Sequence, residues 1–124
     1  MWSHNSKTVL VVDDDQDLVS LVAMVLESEG CMVQSAANGL EALEAVERGM
    51  PDLIILDMKM PIMDGWEFAR EFRTRYDLQS PIVVLTAAAD ARRCAEEIGA
   101  AGWIGKPFDL DTLVGAVGRY IGTG

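Results

Sequence analysis

The sequence has few of the residues on which nucleic-acid binding and disulfide bonding depend. Its 10 lysines and arginines are outnumbered by 20 acidic residues, and the net charge is −10. Nucleic-acid binding rests on neutralising phosphates with basic side chains, so we expect no nucleic-acid partner. The two cysteines, Cys31 and Cys94, follow no metal-ligand spacing and lie beside no catalytic histidine pattern. We expect both to be buried, reduced thiols.

Long apolar runs and histidine are also scarce. No apolar stretch approaches the roughly 20 residues that cross a bilayer, and residues 1–7 are too polar for a signal peptide. The only histidine, His4, lies in the polar segment of residues 1–6, which we expect to be disordered. We therefore expect a cytoplasmic location and no membrane partner.

The chain has the length and composition of one globular domain. It has 124 residues, of which 50% are hydrophobic and 24% are charged, and this is enough for a single sizeable core but not for two. Repeats, linkers and low-complexity segments are absent from the sequence. We interpret residues 1–124 as a single domain.

Predicted strands and helices alternate along the chain. Short apolar runs bounded by turn residues predict strands at residues 9–12, 32–36, 53–56, 82–85 and 103–105. Stretches with apolar residues on one face predict helices at about 15–29, 40–48, 65–75, 91–98 and 110–121. In the first helix the expected core face is Leu18, Leu21, Val22, Val25 and Leu26. The alternation predicts an α/β fold with a doubly wound parallel sheet.

Four of the predicted strands end in polar side chains that can do chemistry. In chain order these are Asp13–Asp15, Asp57, Thr86 and Lys106. In an open parallel α/β sheet, functional groups lie beyond the carboxyl ends of the strands. We therefore expect the four groups to converge at one edge of the sheet.

Carboxylates that converge in this way repel one another unless a cation neutralises them. Mg2+ is the natural candidate, because it prefers hard oxygen ligands and binds through one or two carboxylates together with water and phosphate oxygens. We expect Asp14 and Asp57 to be direct ligands and Asp13 to act through water. Asp57 is then an ionised nucleophile, and Lys106 and Thr86 can neutralise a phosphoryl group that arrives on it. The residues predict phosphoryl transfer to an aspartate.

Each of these residues has an ordinary interpretation when it is taken alone. Lys106 suits a solvated loop, Thr86 suits a turn at a strand end, and Asp13–Asp17 suit the cap and charged first turn of a helix. The combination favours function, because four strand ends that carry the right groups in the right order would be a rare coincidence.

The same residues resemble the receiver domains of two-component response regulators, in particular the single-domain chemotaxis regulators. The resemblance spans about residues 7–120. It rests on four motifs, which are Asp13-Asp14, Asp57 with Met60, Pro61, Met63, Asp64 and Gly65, Thr86-Ala87, and Gly99-Ala100 with Trp103 and Lys106-Pro107-Phe108. The resemblance implies a flavodoxin-like sheet of five parallel strands in the order 2-1-3-4-5 with five helices.

The resemblance also implies a phosphoacceptor rather than an enzyme. Asp57 takes a phosphoryl group from a phosphohistidine on a sensor histidine kinase or a histidine phosphotransfer protein. The domain assists its own phosphorylation and dephosphorylation, and the backbone carbonyl of Lys59 completes the Mg2+ shell.

Switching and timing of the signal are implied by the same family. Thr86 and Trp103 form a switch pair, and the Lys106-Pro107 peptide bond is cis, a minority state that holds the lysine over the site. The lifetime of the phosphorylated state is tuned at Lys59 and Ala88. Neither residue offers a carboxylate or amide that could orient a hydrolytic water, so we expect a long-lived phosphorylated state.

The predicted fifth helix carries Gly115, Gly118 and Gly122 on one face. An interior glycine costs about 1 kcal/mol relative to alanine, and a glycine face allows another backbone to approach closely. We expect the surface formed by helix 4, strand 5 and helix 5 to meet a kinase, a downstream protein target or a second copy in a phosphorylation-dependent homodimer. The alternative, that this helix is weak and frays at its end, stays open.

Other protein classes fit the sequence less well. A haloacid dehalogenase-like phosphatase also uses a strand-end aspartate, but it needs an acid two residues later, where this chain has Lys59. A flavodoxin needs a Ser/Thr-rich phosphate loop in place of Asp13–Asp15, and a phosphorylation-dead relic would lack part of the site. The chain is either a free-standing regulator that acts by binding another protein, or a receiver domain excised from a larger hybrid kinase or multidomain regulator.

Overall fold

The computed structural model describes residues 7–77 and 79–121. The elements, in chain order, are β1 (Thr8–Val12), α1 (Gln16–Ser28), β2 (Met32–Ala36), α2 (Gly39–Arg48), β3 (Leu53–Leu56), α3 (Gly65–Tyr76), β4 (Ile82–Ala87), α4 (Ala88–Ile98), β5 (Gly102–Lys106) and α5 (Leu110–Tyr120). The strands form one parallel sheet in the order β2-β1-β3-β4-β5. This confirms the predicted flavodoxin-like fold. The disorder expected for residues 1–6, which include His4, and the expected position of Gly122 lie outside the described residues.

Helices cover both faces of the sheet and divide the core into two layers. On one face, α1 and α5 pack against alternate strand residues such as Val9 and Val11. On the other face, α2, α3 and α4 pack against residues such as Leu10 and Val12. All four residues of β3 are fully buried, as expected for the central strand of a parallel sheet that is covered on both sides. Across the described residues, no helix is long and apolar enough to span a bilayer.

The buried face of α1 differs from the prediction. Val19, Val22 and Leu26 are its buried residues, whereas Leu21 is 39% exposed. Placing Leu21 in the core face was therefore wrong. The buried stripe follows positions i, i+3 and i+7 from Val19, and Leu21 lies beyond its edge. Leu18 and Val25 are only partly buried against the core.

The fourth helix begins three residues before the predicted start. It starts at Ala88, directly after β4 ends at Ala87, and no side chain caps it. The run Ala87–Ala89 contains no helix breaker, and alanine has the highest helix propensity. β5 is also longer than predicted, so that Lys106 is its last residue. Cys31 and Cys94 are buried and free, which confirms the expectation for both thiols.

Candidate functional site

Asp57 lies directly after β3, near the middle of the carboxyl edge of the sheet. Its amide donates a hydrogen bond to the carbonyl oxygen of Val12, at the end of β1, over 2.9 Å. The residue is only 5% exposed, and its Oδ1 accepts a hydrogen bond from the Met58 amide over 2.8 Å. The strand order therefore holds this carboxylate in a fixed, nearly buried position.

Two further carboxylates come from the end of β1. Asp13 is buried, and its Oδ1 accepts a hydrogen bond from the Asp15 amide over 2.9 Å. Asp14 is exposed. One oxygen from each of Asp13, Asp14 and Asp57 lies within 4.8 Å of the other two. Asp15 turns away to cap α1, where its side chain accepts from the Leu18 amide, so it takes the ordinary role weighed for it.

Lys106 brings the one ammonium group of this cluster from the end of β5. Its Nζ lies 2.8 Å from Asp13 Oδ2 and 3.8 Å from Asp57 Oδ1. The Lys106-Pro107 peptide bond is cis. The lysine thus crosses from β5 to the acids of β1 and β3, and pairs more closely with Asp13 than with Asp57.

Burial and the neighbouring Asp13 both affect the pKa of Asp57. Burial, and then the Asp13 carboxylate, raise the pKa of Asp57 to about 6. Lys106 and the backbone amides of Met58 and Lys59 oppose this rise. A bound divalent cation would remove this repulsion. The donors are hard oxygens in a half-open cluster, which is the environment that Mg2+ prefers. The residues therefore fit a Mg2+ ion.

The other predicted residues lie farther along the same edge or away from it. Thr86 is buried in β4 and pairs with Gly105 of β5. Trp103 pairs with Val84, three residues before the end of β5, and is 49% exposed. Asp13, Asp14 and Asp57 thus lie together, and Lys106 lies beside Asp13 and Asp57. Thr86 is at the site's edge by strand position, and Trp103 lies at the surface.

Lys59 and Ala88 are both exposed beside this edge. The amide of Lys59 is one of the groups that stabilise the ionised Asp57. Ala88 begins α4 and lies close against β5, since a Cβ built on Gly105 would come within 2.7 Å of the Ala88 Cα. Because Ala88 and Gly105 are both small, the start of α4 can contact β5.

Sequence reasoning missed how the loop after Asp57 is held. A Cβ on Gly65 would lie 2.7 Å from the Met58 Cα and 2.8 Å from the Asp57 carbonyl oxygen. The Gly39 amide donates to the Met63 carbonyl over 2.8 Å, and a Cβ on Gly39 would lie 2.6 Å from Met63 Cγ. The Asp64-Gly65 motif was the only signal for the first contact. The second joins two separate elements, and the sequence carries no signal for it.

The chain is similar in sequence to one large group of proteins. The family described as the response regulator receiver domain matches residues 9–118. The chain is 36% identical over 118 residues to sporulation initiation phosphotransferase F of Bacillus subtilis, a match that covers 94% of each protein. It is 38% identical over 111 residues to response regulator MprA of Mycobacterium leprae, covering 88% of this chain and 48% of that protein. The chain therefore spans about half the length of the second relative.

Solved structures show the same likeness in three dimensions. The chemotaxis response regulator CheY4 of Vibrio cholerae superposes with a TM-score of 0.84 at 34% identity, covering 94% of this chain and 99% of that chain. The receiver domain of NtrX from Brucella abortus superposes with a TM-score of 0.83 at 30% identity, covering 91% of this chain and 97% of that chain. The sequence match and the structural match therefore both cover nearly the whole chain.

Proposed function

The chain belongs to the response regulator receiver domain family, whose general role is phosphorylation on an aspartate, and we propose that Asp57 is that aspartate. The observation that carries the proposal is the meeting of Asp57 with Asp13, Asp14 and Lys106 at one edge of the sheet. Both oxygens of Asp13 are engaged, one by the Asp15 amide and the other by Lys106. Asp13 is therefore the partner of the lysine, and Asp57 is the acceptor.

The reaction is attack of an Asp57 oxygen on the phosphorus of a phosphohistidine. The new P–O bond forms as the P–N bond breaks, and the leaving imidazole keeps the electron pair and takes up a proton. Lys106 lies 3.8 Å from Asp57 Oδ1, close enough to pair with an oxygen of the transferred group. The Thr86 hydroxyl, at the end of the neighbouring strand, donates to another of these oxygens. The two side chains stabilise the charge that the transferred group carries.

A Mg2+ ion would be held by Asp14, Asp57 and the backbone carbonyl of Lys59, with Asp13 acting through water. It would supply neutralisation of the phosphoryl oxygens, which lowers the barrier to transfer between two anions. Asp57 must be ionised both to bind the ion and to attack. Burial and the Asp13 carboxylate raise the pKa of Asp57 to about 6, and a bound cation would favour the ionised form at and below that pH.

Receiver domains interact with histidine kinases or phosphotransfer proteins and with downstream targets, and they are phosphoacceptors rather than classical enzymes. In this chain, the site residues also promote phosphorylation and dephosphorylation of Asp57 itself. The exchange takes place in the cytoplasm. Phosphorylation changes the surface of α4, β5 and α5, and through it a partner protein or a second copy of the chain.

Intact-mass measurement with acetyl phosphate and Mg2+ tests the assignment of Asp57. The wild type should gain one phosphoryl group, and Asp57→Asn should gain none. Asp17→Asn is the matched control, because it removes an exposed carboxylate in the first turn of α1, and it should react at the wild-type rate. An Asp57→Asn protein that gained the same mass at a comparable rate would refute the assignment.

A further inference from the structure

Ile62 is the most exposed large hydrophobic residue in the described part of the chain. It is 77% exposed, and Met24, the next most exposed, is 62% exposed. Ile62 lies in the loop between β3 and α3, shortly after Asp57. At this exposure the Ile62 side chain contributes little hydrophobic stabilisation to the domain. A lone exposed apolar residue is common at a protein surface, but Ile62 also has an unusual backbone conformation and lies near Asp57 in the chain.

The backbone at Ile62 is strained as well. Its φ is 71°, in the left-handed region that β-branched residues rarely adopt. The Met63 amide donates to the Pro61 carbonyl over 2.8 Å, so that Ile62 is the central residue of a γ-turn with positive φ, which is rare and strained. Such conformations persist where the surrounding structure imposes them, and they cluster at functional sites.

Neighbouring residues hold this turn in one orientation. The Met63 carbonyl accepts from the Gly39 amide, and the Met63 side chain fills the space above the Gly39 Cα. On the far side, the Gly65 amide donates to the Met58 carbonyl over 2.9 Å. Met63 is fixed inward against α2, and Ile62 is fixed outward. A preorganised apolar side chain loses little entropy when a partner covers it.

The position of Ile62 near Asp57 indicates which molecule covers it. A protein donor must bring its phosphohistidine within bonding distance of Asp57, and its surface then lies over the loops at this edge. A second copy of the chain fits poorly, because the net charge is −10 and the two acidic clusters would face each other. Leu40 and Leu110, at the starts of α2 and α5, are also exposed at this edge, by 47% and 43%. Ile62 is the most exposed of these large apolar side chains and the nearest to Asp57 along the chain.

We propose that Ile62 is an apolar docking contact for the phosphohistidine-bearing domain that phosphorylates Asp57, and that it helps to select that donor. The inference rests on the proposed function. It requires the donor to carry an apolar patch beside its histidine. A small donor such as acetyl phosphate makes no such contact and does not depend on Ile62.

Comparing protein donors with acetyl phosphate tests this inference. The protein donors are purified phosphohistidine domains of the histidine kinases and phosphotransfer proteins encoded in the same genome. Ile62→Asn removes the apolar side chain and suits the positive φ, which asparagine adopts readily. We expect it to lower kcat/KM for the protein donor about tenfold, through KM, and to leave the acetyl phosphate rate unchanged.

Two variants control the experiment. Ile62→Val keeps an apolar, β-branched side chain and should retain transfer from the protein donor. Met32→Asn removes another exposed apolar residue, 58% exposed at the start of β2 and thus at the opposite edge of the sheet, and should change neither rate. If Ile62→Asn lowers the rate equally with the protein donor and with acetyl phosphate, Ile62 shapes the site itself. If it reacts at the wild-type rate with both donors, Ile62 is not part of the interface. Either result overturns the inference. If acetyl phosphate phosphorylates the wild type but no phosphohistidine domain does, the proposed donor class fails, and the inference fails with it.

Discussion

Asp57 lies in a buried position beside Asp13, and both features disfavour its ionised form. They raise its pKa from 3.8 to about 6. The neutral carboxyl group thus favours the fold below about pH 4, and this contribution is lost as the pH rises through about 6. This difference in pKa corresponds to about 3 kcal/mol at neutral pH. Without a cation, the ionised Asp57 carboxylate therefore destabilises the domain.

Asp57→Asn should for this reason be more stable than the metal-free wild type at pH 7, by about 1–3 kcal/mol. The difference should shrink between pH 6 and pH 4, and also when Mg2+ is added, because the ion stabilises only the wild type. Urea unfolding in EDTA at pH 7 and at pH 4.5 measures both effects. Asp17→Asn, an exposed charge change, should stay within about 0.5 kcal/mol of the wild type. An asparagine variant less stable than the wild type at pH 7 would contradict this account.

A second proposal at the scale of single residues is that Lys59 and Ala88 set the lifetime of the phosphorylated state. Hydrolysis needs a water held in line with the P–O bond, and a carboxylate or amide at these positions could orient it. Lys59 can donate but not accept, and Ala88 does neither. Both side chains are exposed, so longer polar residues can be introduced there. We expect slow hydrolysis, which suits a relay or a slow developmental signal better than rapid motility control.

Phosphate release from the wild type and from a Lys59→Asn, Ala88→Glu double variant measures this lifetime. The double variant should release phosphate faster, because both new side chains can position a water. Equal or slower release would refute the prediction. Urea unfolding of the double variant shows separately whether the glutamate disturbs the contact of α4 with β5.

At the scale of elements, the strands could be predicted closely and the helix boundaries less so. The bounds of β2 and β3 agree with the prediction, because turn residues flank both strands. The start of α4 could not be predicted, because its first turn has no capping side chain. The site acids and Lys106 were predictable from the strand ends that carry them. The turn at Ile62 was not, because a β-branched residue rarely adopts a positive φ and because the Gly39–Met63 hydrogen bond beside it joins distant parts of the chain.

Replacing a glycine by alanine should have opposite effects on stability in α5 and in α3. A Cβ on Gly115 would meet no heavy atom within 4 Å, so Gly115→Ala should raise the free energy of unfolding by about 1 kcal/mol. A Cβ on Gly65 would lie 2.7 Å from the Met58 Cα. The Met58 backbone would have to move to make room for the new methyl group, so Gly65→Ala should destabilise the fold by about 1–3 kcal/mol. Urea unfolding of the two variants measures both changes, and changes of the same sign would contradict the account.

Gly115→Ala also tests whether α5 is an interface. If a partner or a second copy approaches this face closely, the added methyl group should weaken that association while it stabilises the fold. Analytical ultracentrifugation with beryllofluoride, which mimics a phosphoryl group, measures self-association. Titration with the phosphorylating kinase domain measures partner affinity. If neither changes, the glycine face is not an interface.

At the scale of the whole molecule, short contacts connect the proposed phosphorylation site with the α4–β5–α5 surface. Thr86 pairs with Gly105 across the sheet, and Gly105 lies against Ala88 at the start of α4. At its other end, α4 is tied to α3 by a hydrogen bond from Trp66 to Glu97 over 2.9 Å. A movement of Thr86 toward a phosphoryl group therefore acts on β5 and on the start of α4, while the end of α4 stays anchored.

Trp103 should report this change. The residue is 49% exposed, and inward rotation of its ring into space vacated by Thr86 would bury apolar surface worth about 1–3 kcal/mol, enough to shift a two-state equilibrium. A variant that keeps only Trp103, with Trp2 and Trp66 replaced by phenylalanine, should show a blue shift and altered acrylamide quenching when beryllofluoride and Mg2+ are added. The same variant with Asp57→Asn should show no change, because it cannot hold the phosphoryl mimic. Identical spectra with and without beryllofluoride in the Asp57 protein would mean that Trp103 is a static surface residue and that the signal leaves the site by another route.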